Sequence, residues 1–163
     1  MMKPAWTVTY VDQGLLQFAG EIGLMSVGLE KNFNRYSLGG LYGVVPAEVA
    51  GGPLIETFTL RQTYQFGHWK RFDFYSGLNI FHVLGLDYQT SKFKDAPQGY
   101  YPIGSIRAIL NLGLNIAITK NEERSFYFEA GMNDLWITNS IASSEEVNPT
   151  DFFSLGMGFK HRF

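Results

Sequence analysis

Between Ile106 and Ile118, apolar residues occupy every second position of the chain. The even positions hold Ile, Ala, Leu, Leu, Leu, Ile and Ile, whereas the odd positions between them hold Arg, Ile, Asn, Gly, Asn and Ala. A helix would scatter these residues around its circumference, but a strand sends successive side chains to opposite faces. The pattern therefore predicts a strand with one wholly apolar face and one polar or small face.

The same alternation recurs along the chain and predicts eight strands in a single all-β domain, residues 1–163. The strands are expected at 5–11, 18–31, 35–45, 55–66, 72–84, 104–119, 125–138 and 151–163. Within the second strand, Ile22 and Leu24 are out of phase with Val27 and Leu29, which predicts a β-bulge.

Two environments produce alternating strands. A soluble sandwich turns its polar faces to water, and about a quarter of residues in soluble domains are charged. Here 17% are charged, and the polar faces hold mainly Gly, Ser, Thr and Asn. Small polar side chains fit into a crowded barrel interior, and long apolar faces are suited to contact with lipid. The sequence predicts a closed eight-stranded antiparallel up-and-down transmembrane β-barrel.

The connections between the predicted strands alternate in length. Segments 32–34, 67–71 and 120–124 are tight, whereas 46–54, 85–103 and 139–150 are longer. Short turns on one rim and long loops on the other are typical of outer-membrane barrels. Both ends of the chain then lie at the short-turn rim, which requires an even number of strands. No helical span is expected, because the longest stretch without Asp, Glu, Lys or Arg has about 13 residues and a helix needs about 20.

The segment from Phe153 to Phe163 alternates apolar residues and closes on a phenylalanine. It resembles the C-terminal signal of Gram-negative outer-membrane barrels, with Phe159 and Phe163 as its aromatic residues, although His161 stands where an apolar residue is more common. The resemblance implies a small eight-stranded barrel of the bacterial outer membrane. It also implies assembly by the barrel assembly machinery, contact with lipopolysaccharide and phospholipid, and a monomeric state. No apolar leader opens the sequence, so an exported protein would be represented by its mature form.

An eight-stranded barrel is just wide enough for side chains to fill it, so an open pore is not expected. The inward positions carry charged residues close to neutral balance, which predicts enclosed ion pairs in two layers. These residues are Glu21, Arg61, Asp73, Arg107, Glu129, Lys160 and Arg162, accompanied by Asn79, Asn111, Asn115 and Asn133. The function expected is structural or surface-interactive, with a proton or ion pathway as the alternative use of these charges.

An outer-leaflet lipid-modifying hydrolase or acyltransferase is the alternative function. His82 lies near the long-loop end of its strand and is the candidate base, with Asp87 as orienting acid and Ser91, Ser76 or Ser105 as nucleophile. The His-x-Ser motif of lipid A deacylases is absent, because Val83 and Leu84 follow His82. The opening helix of lipid A palmitoyltransferases is not matched either.

A soluble lipocalin-like carrier is a third possibility and would turn its charged faces outward instead. No metal site is expected, because the sequence lacks a His/Cys cluster and an EF-hand spacing. No cofactor is expected, since no glycine-rich phosphate loop precedes a helix. A formal charge of -2 argues against a nucleic-acid partner.

Overall fold

The structure, a computed structural model, describes residues 10–20, 22–50, 54–84, 106–134 and 153–163. Eight antiparallel strands form a closed barrel in which each strand pairs with its neighbours in the chain and the first pairs with the last. The strands are β1 Gln13–Ala19, β2 Met25–Phe33, β3 Tyr36–Val45, β4 Ile55–Trp69, β5 Phe72–Leu84, β6 Ile106–Ala117, β7 Arg124–Asn133 and β8 Phe153–Arg162. The predicted all-β fold, the strand number and the antiparallel closure are confirmed.

The first two strands were predicted wrongly. Strand β1 begins at Gln13, and most of the predicted first strand, residues 5–9, lies outside the described residues. The residues predicted to form a bulge are instead a tight connection between β1 and β2, where Gly20 and Gly23 have φ of 91° and 135°. Only glycine adopts such angles easily, so the chain reverses direction there. The phase change at Ile22 marks a turn between two strands.

Two rims of the barrel can be distinguished by their connections. At the lower rim, β2 to β3, β4 to β5 and β6 to β7 are joined by short segments, and the turn residues Asn34, Lys70 and Glu122 have φ close to 59°. At the upper rim, the β3 to β4 connection carries the one-turn helix α1, Ala47–Ala50. The predicted loops at 85–103 and 139–150 lie outside the described residues.

The two faces of the barrel wall differ in the sense predicted from the alternation. Outward positions carry large apolar side chains: Leu112 is 64% exposed and Leu155 is 75% exposed. Inward positions carry buried polar side chains, among them Thr57, Asn79 and Arg61. In the described ranges, no helix has both the length and the hydropathy that a membrane span requires.

Candidate functional site

The interior of the barrel is organised around Arg61, whose side chain is completely buried. Its Nε donates to Oε1 of Glu30 on β2 at 2.8 Å, and its Nη2 donates to Glu129 on β7. The hydroxyl of Tyr75 also donates to Oε1 of Glu129, at 2.7 Å. A single guanidinium therefore joins two carboxylates that reach it from different strands of the barrel wall, as buried charges require.

Lys160 completes this arrangement from β8. Its Nζ lies 3.3 Å from Oε2 of Glu30, and the same oxygen accepts a hydrogen bond of 2.5 Å from Gln13. The Lys160 ammonium also lies 5.4 Å from the ring centre of Tyr75 and 5.2 Å from that of Tyr127, within the range of cation–π attraction. We call these residues the central cluster: Glu30, Arg61, Glu129 and Lys160, with Tyr75 and Tyr127. Its formal charges are two negative and two positive.

Glycines on neighbouring strands make room for the large side chains of the central cluster. Tyr75 is paired with Gly113 and Tyr127 with Gly158. A Cβ atom built on either glycine would overlap the tyrosine ring opposite. The rings can therefore lie along the inner wall only because the strand beside them has no side chain at that position, an arrangement known to fix strand register.

An apolar layer lies inside the barrel between the central cluster and the upper rim. It consists of Ile22, Leu41, Phe81 and Ile109, all buried, with Val83 packed against them. Inward apolar side chains pack together because their contact removes apolar surface from water. The barrel interior thus contains charged groups at mid-height and apolar groups above them.

The lower mouth of the barrel is polar. Asp73 accepts a hydrogen bond of 2.7 Å from Gln65, and its Oδ1 lies 2.6 Å from Nδ1 of His68. A small cavity of about 100 Å³ opens there, with Asn115 and Arg162 in its wall.

A second contact at the lower rim fixes the start of β1. Asp12, which precedes the strand, accepts hydrogen bonds from the backbone amide of Asn32 at 2.7 Å and from Lys31 Nζ at 2.9 Å. The backbone hydrogen bond from Asn32, followed by the one from Lys31, lowers the pKa of Asp12 below its ordinary 3.8. The Asp12 carbonyl accepts a hydrogen bond of 2.9 Å from the backbone amide of Phe163, so the start of β1 and the end of β8 meet here.

The charged residues proposed from the sequence fall into separate groups. Arg61, Glu129 and Lys160 meet in the central cluster, whereas Asp73 and Arg162 lie at the lower mouth. Arg107 lies 3.8 Å from Asp134 near the upper rim. Glu21 lies outside the described residues.

Sequence reasoning missed Glu30, which holds both cations of the central cluster. The phase of its own strand was the available signal. Val27 and Leu29 are more than half exposed on the outer face, so Glu30 must point inward.

His82, the candidate base, faces outward near the upper end of β5, between Phe58 and Ile106 of the adjacent strands. Ser76 faces outward on the same strand but six residues away, which is about 20 Å at the rise of a strand. These two residues cannot share a site. Asp87, Ser91 and Ser105 lie outside the described residues.

Among the described residues, a polar contact lies on the outer face near His82. The hydroxyl of Tyr42 donates to Glu56, two positions along β4 from Phe58. No group of three or more His, Cys, Asp or Glu side chains suited to a metal ion occurs within the part of the chain that the structure describes.

The aromatic residues of the last strand lie on its outer side. Phe159 packs edge-on against Phe126 of β7, with ring centres 5.7 Å apart. Phe163 stands perpendicular to the His161 ring at 5.8 Å. The first contact joins β8 to β7, and the second lies at the lower end of β8.

Comparison with known proteins finds no matching family model, no matching curated protein and no matching solved structure.

Proposed function

We propose that this chain is an integral outer-membrane β-barrel with a sealed lumen, acting as a structural or surface-interaction protein rather than as an open pore. The observation that carries the proposal is the inverted distribution of polarity across the barrel wall. Arg61 and Glu129 are buried inside, while leucines such as Leu110 and Leu155 are exposed outside. Soluble monomers rarely expose contiguous apolar surface on this scale.

The outward apolar residues continue around the barrel. They include Val27, Leu29, Leu38, Phe58, Leu60, Leu110, Leu112, Phe126, Phe128, Leu155 and Met157, each more than 40% exposed. Ten strand residues at about 3.3 Å each, tilted by about 40°, rise about 25 Å, which is the height of the apolar band in such barrels. Strands β3, β7 and β8 each have 10 residues. The wall therefore has the dimensions of a hydrocarbon core.

Two features of the interior support a sealed lumen. The central cluster bridges strands on several sides of the barrel, since Arg61 of β4 contacts Glu30 of β2 and Glu129 of β7. Above it, Ile22, Leu41, Phe81 and Ile109 form a hydrophobic constriction, which opposes the passage of hydrated ions. A sealed barrel presents its upper connections on a rigid support. We infer that interaction with other molecules occurs through those connections.

The molecules that would contact the chain follow from its proposed location in the outer membrane. Outer-membrane lipids would contact the outward side chains, and the barrel assembly machinery would act on the strand that ends in Phe159 and Phe163. A site for lipid modification around His82 is the alternative function. Of its candidate nucleophiles, Ser76 lies about 20 Å away along the strand, whereas Ser91 and Ser105 lie outside the described residues.

Two measurements on the purified chain test the proposal. After refolding with phospholipid, it is expected to float with vesicles in a density gradient and to resist extraction by high salt and alkaline carbonate. Liposomes containing it are expected to swell in sugar solutions no faster than protein-free liposomes. A monomer that stays in solution without detergent would contradict the membrane assignment, and solute flux above the lipid control would contradict the sealed lumen.

Comparison of lipids tests the enzymatic alternative directly. Lipid A and phospholipids from cells producing the wild-type chain, a His82→Ala variant or neither are expected to have identical mass spectra. A modified lipid that depends on His82 would overturn the non-enzymatic proposal.

A further inference from the structure

Gln62 and Ser76 differ from the other outward residues of the barrel. In the described strands, every other charged, amide or histidine side chain on the outer face lies within three residues of a strand end. Gln62 is the central residue of the 15-residue β4, and Ser76 is the fifth residue of β5. Within the described part of the chain, neither side chain makes a hydrogen bond. Both are therefore polar groups without a partner inside an apolar belt.

The two residues lie side by side. Gln62 is paired with Leu78, and Ser76 is paired with Tyr64, so the amide and the hydroxyl are diagonal neighbours on one face. Each of the two residues belongs to a row of paired residues that crosses neighbouring strands. Both rows begin at the lower rim on β2 and end at the upper rim on β8. Because β4 and β5 lie between these two strands, Gln62 and Ser76 are near mid-height. The amide is exposed and the hydroxyl is half-buried. At this depth neither water nor lipid headgroups can satisfy them.

The wall around this polar pair is concave. A groove of about 560 Å³ runs over it, with Tyr36, Leu110, Leu112 and Ala130 in its walls. Ser76 and Ala130 are the small outward residues that create the depression, and the ring of Tyr36 packs on that of Tyr64 at 4.8 Å to form its lower border.

We propose that this face is the contact surface between two copies of the chain, paired by a two-fold axis along the membrane normal. The inference rests on the proposed membrane location. A lipid acyl chain has no hydrogen-bonding group to offer at mid-depth. A second copy rotated about the normal presents the same amide and hydroxyl at the same depth, and a carboxamide, being donor and acceptor, is complementary to itself. This proposal differs from the sequence-based expectation of a monomer.

Cross-linking in bilayers tests the dimer, since the chain has no cysteine of its own. Leu110→Cys puts a thiol in the wall of the groove, and the control Met157→Cys puts one on β8, four strands from Gln62 and three from Ser76. The two native residues are 57% and 54% exposed, so access is matched. We expect disulfide-linked dimers from the first variant at least about fivefold faster than from the second.

The double substitution Gln62→Leu with Ser76→Ala, added to Leu110→Cys, is expected to slow cross-linking about tenfold. Hydrogen bonds between membrane segments commonly change association by factors of this size. Circular dichroism checks that this variant folds. If it does not, Ala130→Trp, which fills the groove, is combined with Leu110→Cys instead and is expected to slow cross-linking by a similar factor.

Equal cross-linking at positions 110 and 157, or cross-linking that neither the polar substitutions nor the tryptophan slows, would overturn the dimer. In that outcome the chain would still float with vesicles, so the membrane proposal would stand. A chain that fails to float would contradict the proposed function itself. Failure of the dimer proposal and failure of the membrane proposal can therefore be distinguished.

Discussion

Arg61 donates a 2.8 Å hydrogen bond from its Nε to Oε1 of Glu30, and both side chains are completely buried. The pair joins β4 to β2 across β3, whose residue in between, Gly39, has no side chain to obstruct it. A Cβ atom on Gly39 would overlap Glu30. The contact is therefore a cross-link through the interior of the barrel, made possible by the strand it passes over.

Removing the arginine is expected to be strongly destabilising. Arg61→Met leaves Glu30 and Glu129 buried with Lys160 alone to balance them, and loss of one partner from a buried ion pair costs about 3–5 kcal/mol. The free energy of unfolding in urea, measured in lipid vesicles, reports this loss. The double variant Arg61→Met with Glu129→Gln restores neutrality and is expected to recover at least about 1 kcal/mol. A single variant as stable as the wild type would contradict the role given to Arg61.

Two glycines give opposite expectations for the same substitution. Gly113→Ala forces a methyl group into the Tyr75 ring, and overpacking of this kind costs about 1–3 kcal/mol. Gly40→Ala is the matched control, because a Cβ on Gly40 meets no atom within 4 Å, and it is expected to change stability by less than about 0.5 kcal/mol. Urea unfolding of both variants checks the difference. Equal effects would show that Tyr75 does not lie where Gly113 makes room for it.

The apolar layer is expected to respond to truncation as a protein core does. Phe81→Ala removes a buried ring that packs with Leu41 and Ile109, and such a cavity costs about 3–5 kcal/mol. Phe58→Ala is the control on the outer face, where lipid can fill the space, and should cost less than about half as much. The same unfolding assay distinguishes them. A greater loss at Phe58 would mean that the inner and outer faces are exchanged.

Acid is expected to weaken the lower-rim contact made by Asp12. Its pKa is lowered in the folded chain by the backbone amide of Asn32 and by Lys31. A carboxyl with a lowered pKa stabilises the fold fully above its unfolded value, about 3.8 here, and loses that contribution as the pH falls through the lower folded value. The stability difference between wild type and Asp12→Asn should therefore be constant above pH 5 and shrink below pH 3.8. A difference that does not depend on pH would contradict this assignment.

The fold could be predicted because the alternation that indicates a strand is visible within a short segment of sequence. Alternation with period two is visible in segments such as 106–118, and it decides both the strands and the face that each side chain occupies. The rule fails where apolar residues form a turn. Ile22 sits in the β1 to β2 connection yet is buried in the interior, so its hydrophobicity resembled that of a strand residue.

The groupings within the interior could not be predicted in the same way. Alternation places Leu41 and Ile109 on the inner face without saying that they form a layer with Phe81, because that depends on the stagger between neighbouring strands. It likewise gives Glu30 and Lys160 the same orientation, but their contact joins residues 130 positions apart. Hydrogen-bond register, which the sequence does not display, decides which inward residues meet.

The order in which the chain is made has a consequence for Lys160. Through β7 the central cluster has Glu30, Glu129 and Arg61, an excess of one negative charge, and the compensating ammonium of Lys160 is on β8. A barrel that is missing β8 thus has an open seam and an uncompensated carboxylate in the same unfinished state. Closure of the barrel wall and neutralisation of the central cluster therefore depend on the same strand.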